Sequence, residues 1–521
     1  MSENPRNLEE DQRGPLVMDA ASDANSGVRD FVLYGLGSAS SQAIVILLIP
    51  VYTRWLGASE YGTLVLLTGL QAVLVVLASS GLGVGMLRSF YDYSDERDQR
   101  TVASTAAWAI VTLSVIVAGV SVLLTDELVR IIHIESITAH HVRLVALITL
   151  FEGLGVLPLS VFRAKRQALR FSLTTTAALA VRILAIVYFV AVLEGRVQGA
   201  LYGMIVGASF ATLIGYAQVI GTLGIGIDCS ELRKMLRFGL PLVSAGLLAW
   251  VLSVSGRYFV AKYVGVYDAG IYTLADRFAT VLLVLLIQPL DLVWLPVMLS
   301  VRDKSYARLF YARALKYYVM GATFLGLGLS VFGEEVLTAM TTQEFMPARH
   351  YVFPLCLAQV MFGASRLLNV GTDLARKSEN RILAMATSTV VFVGLCVALT
   401  PRWGIAGTAW SLVVAYSILC WASFILADRL YPIQYEWVKI VFMLAAMCVV
   451  DVLTVAVEAL SLSPLLAVPA KCLLLGGLPI LWLLSGVISH QDCVEARRWS
   501  LAIMSTVERR VVSWVRERTM R

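Results

Sequence analysis

Apolar residues in this chain come in long unbroken runs rather than in alternation with polar ones. Runs of about twenty residues follow one another along nearly the whole sequence, separated by short connections rich in arginine and lysine. An amphipathic strand or helix would repeat polar positions with period 2 or 3.6. Runs without a polar face predict helices that cross a bilayer, where the backbone must satisfy its own hydrogen bonds. The pattern predicts fourteen spans, at 31–53, 62–87, 102–124, 143–163, 172–193, 199–224, 238–261, 269–299, 315–340, 350–374, 381–400, 404–427, 436–459 and 464–489. The fold class expected is all-α and polytopic. Ahead of the spans, residues 1–30 form a polar, acid-rich stretch, with Glu9, Glu10 and Asp11 together. It lacks the basic start and short apolar core of a cleavable signal and reads as a disordered cytoplasmic tail.

Composition sharpens this reading. Hydrophobic residues make up 58% of the 521 and charged ones 15%, with a mean hydropathy of +0.77; a soluble domain carries about a quarter charged residues. The net charge of +6 reflects topology rather than a nucleic-acid partner. Clusters such as Arg97 and Arg100, Arg163 to Arg170, Arg233 to Arg237, Arg302 to Lys316 and Arg376 to Arg381 fall in alternate connections. The intervening ones hold one or two basic residues each, such as Arg54, Arg196 and Lys262. Positive residues favour the cytoplasmic side, so both termini are expected there.

An internal repeat organises the spans. Arg54-x-x-Gly57-x-x-Glu60-x-Gly62 follows the first span, and Lys262-x-x-Gly265-x-x-Asp268-x-Gly270 follows the seventh, 208 residues on. Gly199 and Gly407 stand at the same offset, and Arg166-x-x-x-Arg170 matches Lys377-x-x-x-Arg381 at 211. An even number of spans separates the copies, so they share one orientation and are related by a pseudo-twofold axis along the membrane normal. The expected organisation is an N-terminal bundle at 31–224, a cytoplasmic linker at 225–237, a C-terminal bundle at 238–428, two extra spans at 429–489 and a basic amphipathic tail at 490–521. That tail sets Leu501, Met504, Val507, Val511 and Trp514 on one stripe, suited to the inner leaflet.

Charges inside the spans are candidate chemistry, because an arginine at the bilayer centre costs around 3 kcal/mol. Arg182, Arg257, Arg277 and Arg366 lie inside spans, and Arg88 closes the second span after Gly81-x-Gly83-x-Gly85. Arg257 and Arg277 flank the second repeat turn and are the foremost candidates for a cationic cleft wall. Glu152, Asp276, Asp291, Asp373 and Asp451 are the acids within reach of the same layer; Glu152, Asp276 and Asp291 are candidates for ion coupling. Structural rivals stand beside each reading: Arg182 paired with Glu152, Arg257 and Arg277 with Asp276 or Asp268, Arg366 with Asp373, and Arg88 reaching the inner headgroups. Pro158, Pro241, Pro289, Pro296 and Pro354 are expected to kink their spans.

Other chemistry is missing from the sequence. It has no G-x-x-x-x-G-K-[ST] loop, no H-E-x-x-H and no G-x-S-x-G. The seven cysteines form no C-x-x-C pair and read as small apolar residues. No catalytic residue, cofactor or metal is expected, and the chain reads as a transporter rather than an enzyme.

The stretch from Pro50 to Gly62, reading PVYTRWLGASEYG, resembles the start of Wzx-like polysaccharide-biosynthesis flippases. These belong to the multidrug/oligosaccharidyl-lipid/polysaccharide exporter superfamily. Leu236 to Leu242, Gly270 to Ala275 and Gly404 to Gly407 are similar to further motifs of that family. The resemblance implies fourteen helices in a V-shaped pair of bundles and a cationic cavity. It also implies export of an undecaprenyl-diphosphate-linked oligosaccharide, with glycan polymerase or export machinery as partners beside membrane lipids. The family often has Asp-Arg where this chain has Gly256-Arg257, so an ion-coupling role for that acid is not carried over. Rival readings are a multidrug exporter of the superfamily, which would favour acids over arginines in its cavity, a flippase for a peptidoglycan precursor, a membrane glycan polymerase or ligase, and a scaffold.

Overall fold

The computed structural model describes residues 48–487 apart from 133, 225 and 461–463. The described residues are almost wholly helical and contain no strand. The tails at 1–30 and 490–521, and most of the first predicted span, lie outside them. The helices are α1 (Ile49–Trp55), α2 (Gly57–Ser79), α3 (Leu82–Tyr91), α4 (Glu96–Leu123), α5 (Thr125–Ile132), α6 (Ala139–Ala164), α7 (Ala168–Val187) and α8 (Arg196–Val219), then α9 (Cys229–Val254), α10 (Gly256–Tyr263), α11 (Val266–Leu282), α12 (Gln288–Val301), α13 (Ala307–Val331), α14 (Gly333–Met340), α15 (Arg349–Leu368), α16 (Val370–Leu374), α17 (Ser378–Asp428), α18 (Trp437–Ala459) and α19 (Pro464–Leu484). Among the described residues, twelve helical stretches are long and apolar enough to cross a membrane. One of them, α17, contains the eleventh and twelfth predicted spans, divided by the non-helical backbone of Gly404.

Two groups of helices account for the packing. In the first, α6 packs against α2, α4 and α8, and α8 against α7; in the second, α15 packs against α11, α13 and α17. The extra pair sits on the second group, α18 against α13 and α19 against both. Its outer faces are bare: Val438 is 85% exposed and Leu473 76%, a surface that only lipid would cover. The fold is thus an all-α membrane protein of two pseudo-twofold-related bundles with two C-terminal helices.

Positive-φ residues mark the repeat. Gly57 (φ 68°) and Gly265 (φ 147°) stand 208 residues apart, as do Arg196 (φ 48°) and Gly404 (φ 58°). Arg166 (φ 52°) and Arg376 (φ 55°) end equivalent helices. The turn register there is 210 rather than 211, because Arg166 corresponds to Arg376 and not to Lys377.

Several boundaries differ from expectation. The segment read as a linker at 225–237 is helical from Cys229 onward. Asp228 caps it by accepting from the Ser230 and Glu231 N–H groups at 2.7 and 3.3 Å, and a charged amphipathic turn there hides from a hydropathy reading. The second span begins at Gly57 and is broken at Ser80 and Gly81, both left-handed. The eighth passes through a π-helical turn, Leu283–Ile287, before Pro289. The ninth is divided at Phe332.

Candidate functional site

The two bundles meet along one seam, formed by α2 and α3 from the first and α9, α10 and α11 from the second. The end carrying residues 54–61 is the outer one in the orientation assigned by lysine and arginine. There α2 and α11 cross at contact distance. A Cβ on Gly62 would strike the Val266 carbonyl oxygen, and one on Gly270 would strike that of Ala58. Ala58 and Val266, like Gly62 and Gly270, are 208 residues apart, so each helix presents the same glycine to the same place on its partner. A local twofold axis passes through this crossing, and small residues are what allow the backbones so close.

Side chains of the second bundle then bond along the backbone of α2. Arg257 donates to the Val65 carbonyl at 3.3 Å, Tyr258 to Leu66 at 2.6 Å, and Trp250 to Gly69 at 2.9 Å. At the outer rim the Ala58 N–H donates to the Glu344 carboxylate at 3.0 Å. Phe345, fully buried, meets Tyr61 edge-on at 5.9 Å.

The intramembrane charges gather behind this closure. Arg257 is 6% exposed, and its Nε has no hydrogen-bond partner. Asp276 lies in the field of both Arg257 and Arg277, and so does Tyr61. Tyr52, at the end of the first span, feels Arg277 from one bundle and Arg182 from the other. Arg182 is paired with Glu152, which also accepts from Gln71. Arg257, Arg277 and Asp276 of the second bundle thus stand by Tyr61 of the first, while Arg182 and Glu152 line a cavity of about 300 Å³ among the helices of the first bundle.

The remaining candidates stand apart. Arg366 lies over the Phe362 ring at 4.8 Å, with Asp291 its principal acidic neighbour; Asp373 pairs instead with Arg381 at 3.8 Å. Arg88 is at the inner end of the seam, over the Phe238 ring at 4.5 Å. Asp451 accepts from Ser330 at 2.8 Å. Gly57 and Gly265 open α2 and α11, placing Gly62 and Gly270 at the crossing.

Some residues of this site were not named from sequence. Tyr52, Tyr61, Gln71 and Glu344 are ordinary in composition, and only packing gives them partners. Lys471 had a readable signal, a lysine within an apolar span. It is 2% exposed and bonded to Glu335 and Glu458 at 2.9 Å each, tying the last span to the ninth and thirteenth. Among the described residues no three His, Cys, Asp or Glu side chains are grouped to hold a metal ion.

Comparison with known proteins agrees with this architecture. Residues 51–350 match the family described as polysaccharide biosynthesis protein. A protein of the Lsg locus of Haemophilus influenzae is 23% identical over 406 residues, covering 74% of this chain and 96% of that protein. Among solved structures, the lipid II flippase MurJ in an inward closed conformation superposes with a TM-score of 0.69 at 11% identity, covering 87% of this chain and 99% of MurJ. An inward-facing multidrug-resistance MATE-family transporter of the MOP superfamily gives a TM-score of 0.64 at 16% identity, covering 77% and 94%. With residues 51–350 matched and two bundles of one fold joined along a glycine-lined seam, this chain is a multi-pass membrane member of the polysaccharide biosynthesis protein family.

Proposed function

We propose that this protein carries a polyprenyl-diphosphate-linked oligosaccharide from the inner to the outer leaflet of a bacterial cytoplasmic membrane by alternating access. Both termini lie on the cytoplasmic side, and glycan polymerase or export machinery receives the product. The observation that carries this reading is that Arg257 and Arg277 of the second bundle act on Tyr61 of the first, while Arg182 of the first bundle acts on Tyr52, whose ring lies 6.0 Å from that of Tyr61. Glu152 and Asp276 offset only part of that charge. Holding three guanidinium groups in the membrane costs on the order of several kcal/mol, which charge-assisted bidentate bonds to a diphosphate would offset. The polyprenyl tail stays in lipid throughout.

Arg257 couples loading to opening. Its bond to the Val65 carbonyl is long, at 3.3 Å, and its Nε is unpartnered. A phosphate oxygen is the stronger acceptor, so a bound diphosphate draws Arg257 off α2 and loosens the outer seam. Ion coupling, if present, runs through Asp276, Glu152 or Asp291. A drug-exporting reading is disfavoured because the first two acids each lie against arginine, leaving little negative field for a cationic drug.

Deletion of the chain, followed by mass analysis of accumulated lipid-linked sugars, tests the proposal. A single lipid-linked oligosaccharide should build up, and neither Arg257→Glu nor Arg277→Glu should clear it although both proteins reach the membrane. An unchanged lipid pool in the deletion strain would reject the cargo.

A further inference from the structure

The inner end of the seam holds a second charged site, separate from the intramembrane arginines. It is a cavity of about 370 Å³ lined from both bundles: Arg88, Ser89 and Asp92 around the end of α3, and Lys234, Arg237 and Phe238 on α9. Close backbone contact fixes its width. A Cβ on Gly85 would come within 2.8 Å of the Met235 carbonyl oxygen, and one on Gly239 within 2.9 Å of that of Gly81. Lys234 is held by Glu231 at 2.6 Å, and Tyr93 donates to the same carboxylate at 2.7 Å. Among the described residues neither Arg88 nor Arg237 has a carboxylate within 4.0 Å.

Closing the seam thus places guanidinium groups from opposite bundles at one cavity, with Asp92 the lone acid in its lining. Unpaired like charges brought together this way oppose closure. An anion with several acceptor oxygens removes the opposition and gives each planar fork a partner. In the orientation assigned by lysine and arginine the cavity opens at the inner ends of α3 and α9, where lipid phosphates would be the abundant anions.

We propose that this cavity is a phosphate-headgroup site of the inner leaflet, in which Arg88 and Arg237 hold one lipid phosphate between the bundles and so favour the closed inner seam. The chemistry is shared by an anionic phospholipid and by a polyprenyl diphosphate, and it does not depend on the cargo assignment. By linkage, whatever binds the closed seam more tightly also shifts the protein toward it.

The test is native mass spectrometry of the purified full-length protein in neutral detergent. Dioleoyl phosphatidylglycerol, dioleoyl phosphatidylcholine or undecaprenyl diphosphate is added in turn. Wild type should retain one phosphatidylglycerol in preference to phosphatidylcholine. Arg88→Gln/Arg237→Gln should weaken that retention roughly thirty-fold, from about 1 kcal/mol per arginine. Arg88→Lys/Arg237→Lys, which keeps both charges but not the planar forks, should lose less of it than the glutamine pair, and both variants should melt cooperatively as wild type does. Arg97→Gln/Arg100→Gln, an equal loss of charge elsewhere on the inner face, should leave it unchanged. One-for-one displacement by undecaprenyl diphosphate would identify a site shared with the cargo carrier, and no displacement a phospholipid site; either outcome supports a phosphate site. Equal retention by wild type and Arg88→Gln/Arg237→Gln, or an equal loss in the Arg97→Gln/Arg100→Gln control, would overturn it.

Discussion

The second and eighth spans hold equivalent places in the two bundles, and both depart from regular α-helix near the same point. Ser80, where α2 ends, and Gln288, where α12 begins, stand 208 residues apart. Outside the break the two spans behave alike, crossing through Gly62 and Gly270 about a local twofold axis. Inside it they part company. The second span turns through left-handed Ser80 and Gly81 and lays α3 against α9, backbone to backbone. The eighth passes through a π-helical turn and Pro289, and its inner half leaves Leu285, Leu295 and Leu299 exposed at 57, 51 and 44%. A π-helical turn followed by proline frees backbone carbonyls and lets a helix bend. One duplicated element is tightly packed on one side and, under the proposed alternating access, free to bend on the other. Outer closure therefore belongs to the repeat, whereas the inner halves have diverged.

The harshest way to break this comparison is to crowd the crossing. Gly62→Val and Gly270→Val should each cost about 3 kcal/mol, in line with overpacking elsewhere, and lower the thermal midpoint in detergent to a similar extent. A large difference between them would remove the local twofold axis. Next comes the contrast between the two inner halves. Gly81→Ala places a side chain against the Gly239 backbone at φ 69° and should destabilise by about 2 kcal/mol. Pro289→Ala, which restores a helical N–H at an exposed site, should be neutral or mildly stabilising while slowing transport. A smaller effect is expected from Tyr258→Phe, which deletes the 2.6 Å bond to Leu66 and should cost about 1 kcal/mol. Glu344→Ala, which removes the cap on Ala58, should cost about 1 kcal/mol or less and act on the outer rim alone, seen as faster amide exchange in the first turn of α2.

Sequence reasoning reached as far as features carried by residue type. Glycines at 57, 62, 265 and 270 announced two equivalent turns, since only small residues allow such an approach. The arginines were readable because charge in lipid is costly. Two things were not readable. Arg166, Arg196 and Arg376 adopt positive φ without the glycine that would advertise it. The start of α9 in Glu231-Leu232-Arg233-Lys234 looks like a cytoplasmic connection, yet the Asp228 cap and the contacts of Glu231 make it a helix. The grouping of Arg182 with Arg277 around Tyr52 is likewise a matter of packing across bundles, for which one sequence holds no signal.

Under the proposed function, arginines from both bundles act on a diphosphate passing between them. Proteoliposomes loaded with a lipid-linked oligosaccharide test it most directly, with exposure of the sugar followed by an enzyme that reaches only the outer leaflet. Steady exposure is expected with wild type and at least a tenfold slower rate with Arg257→Gln/Arg277→Gln, the variant still melting cooperatively in detergent. A double variant that moves the lipid as fast as wild type would contradict it.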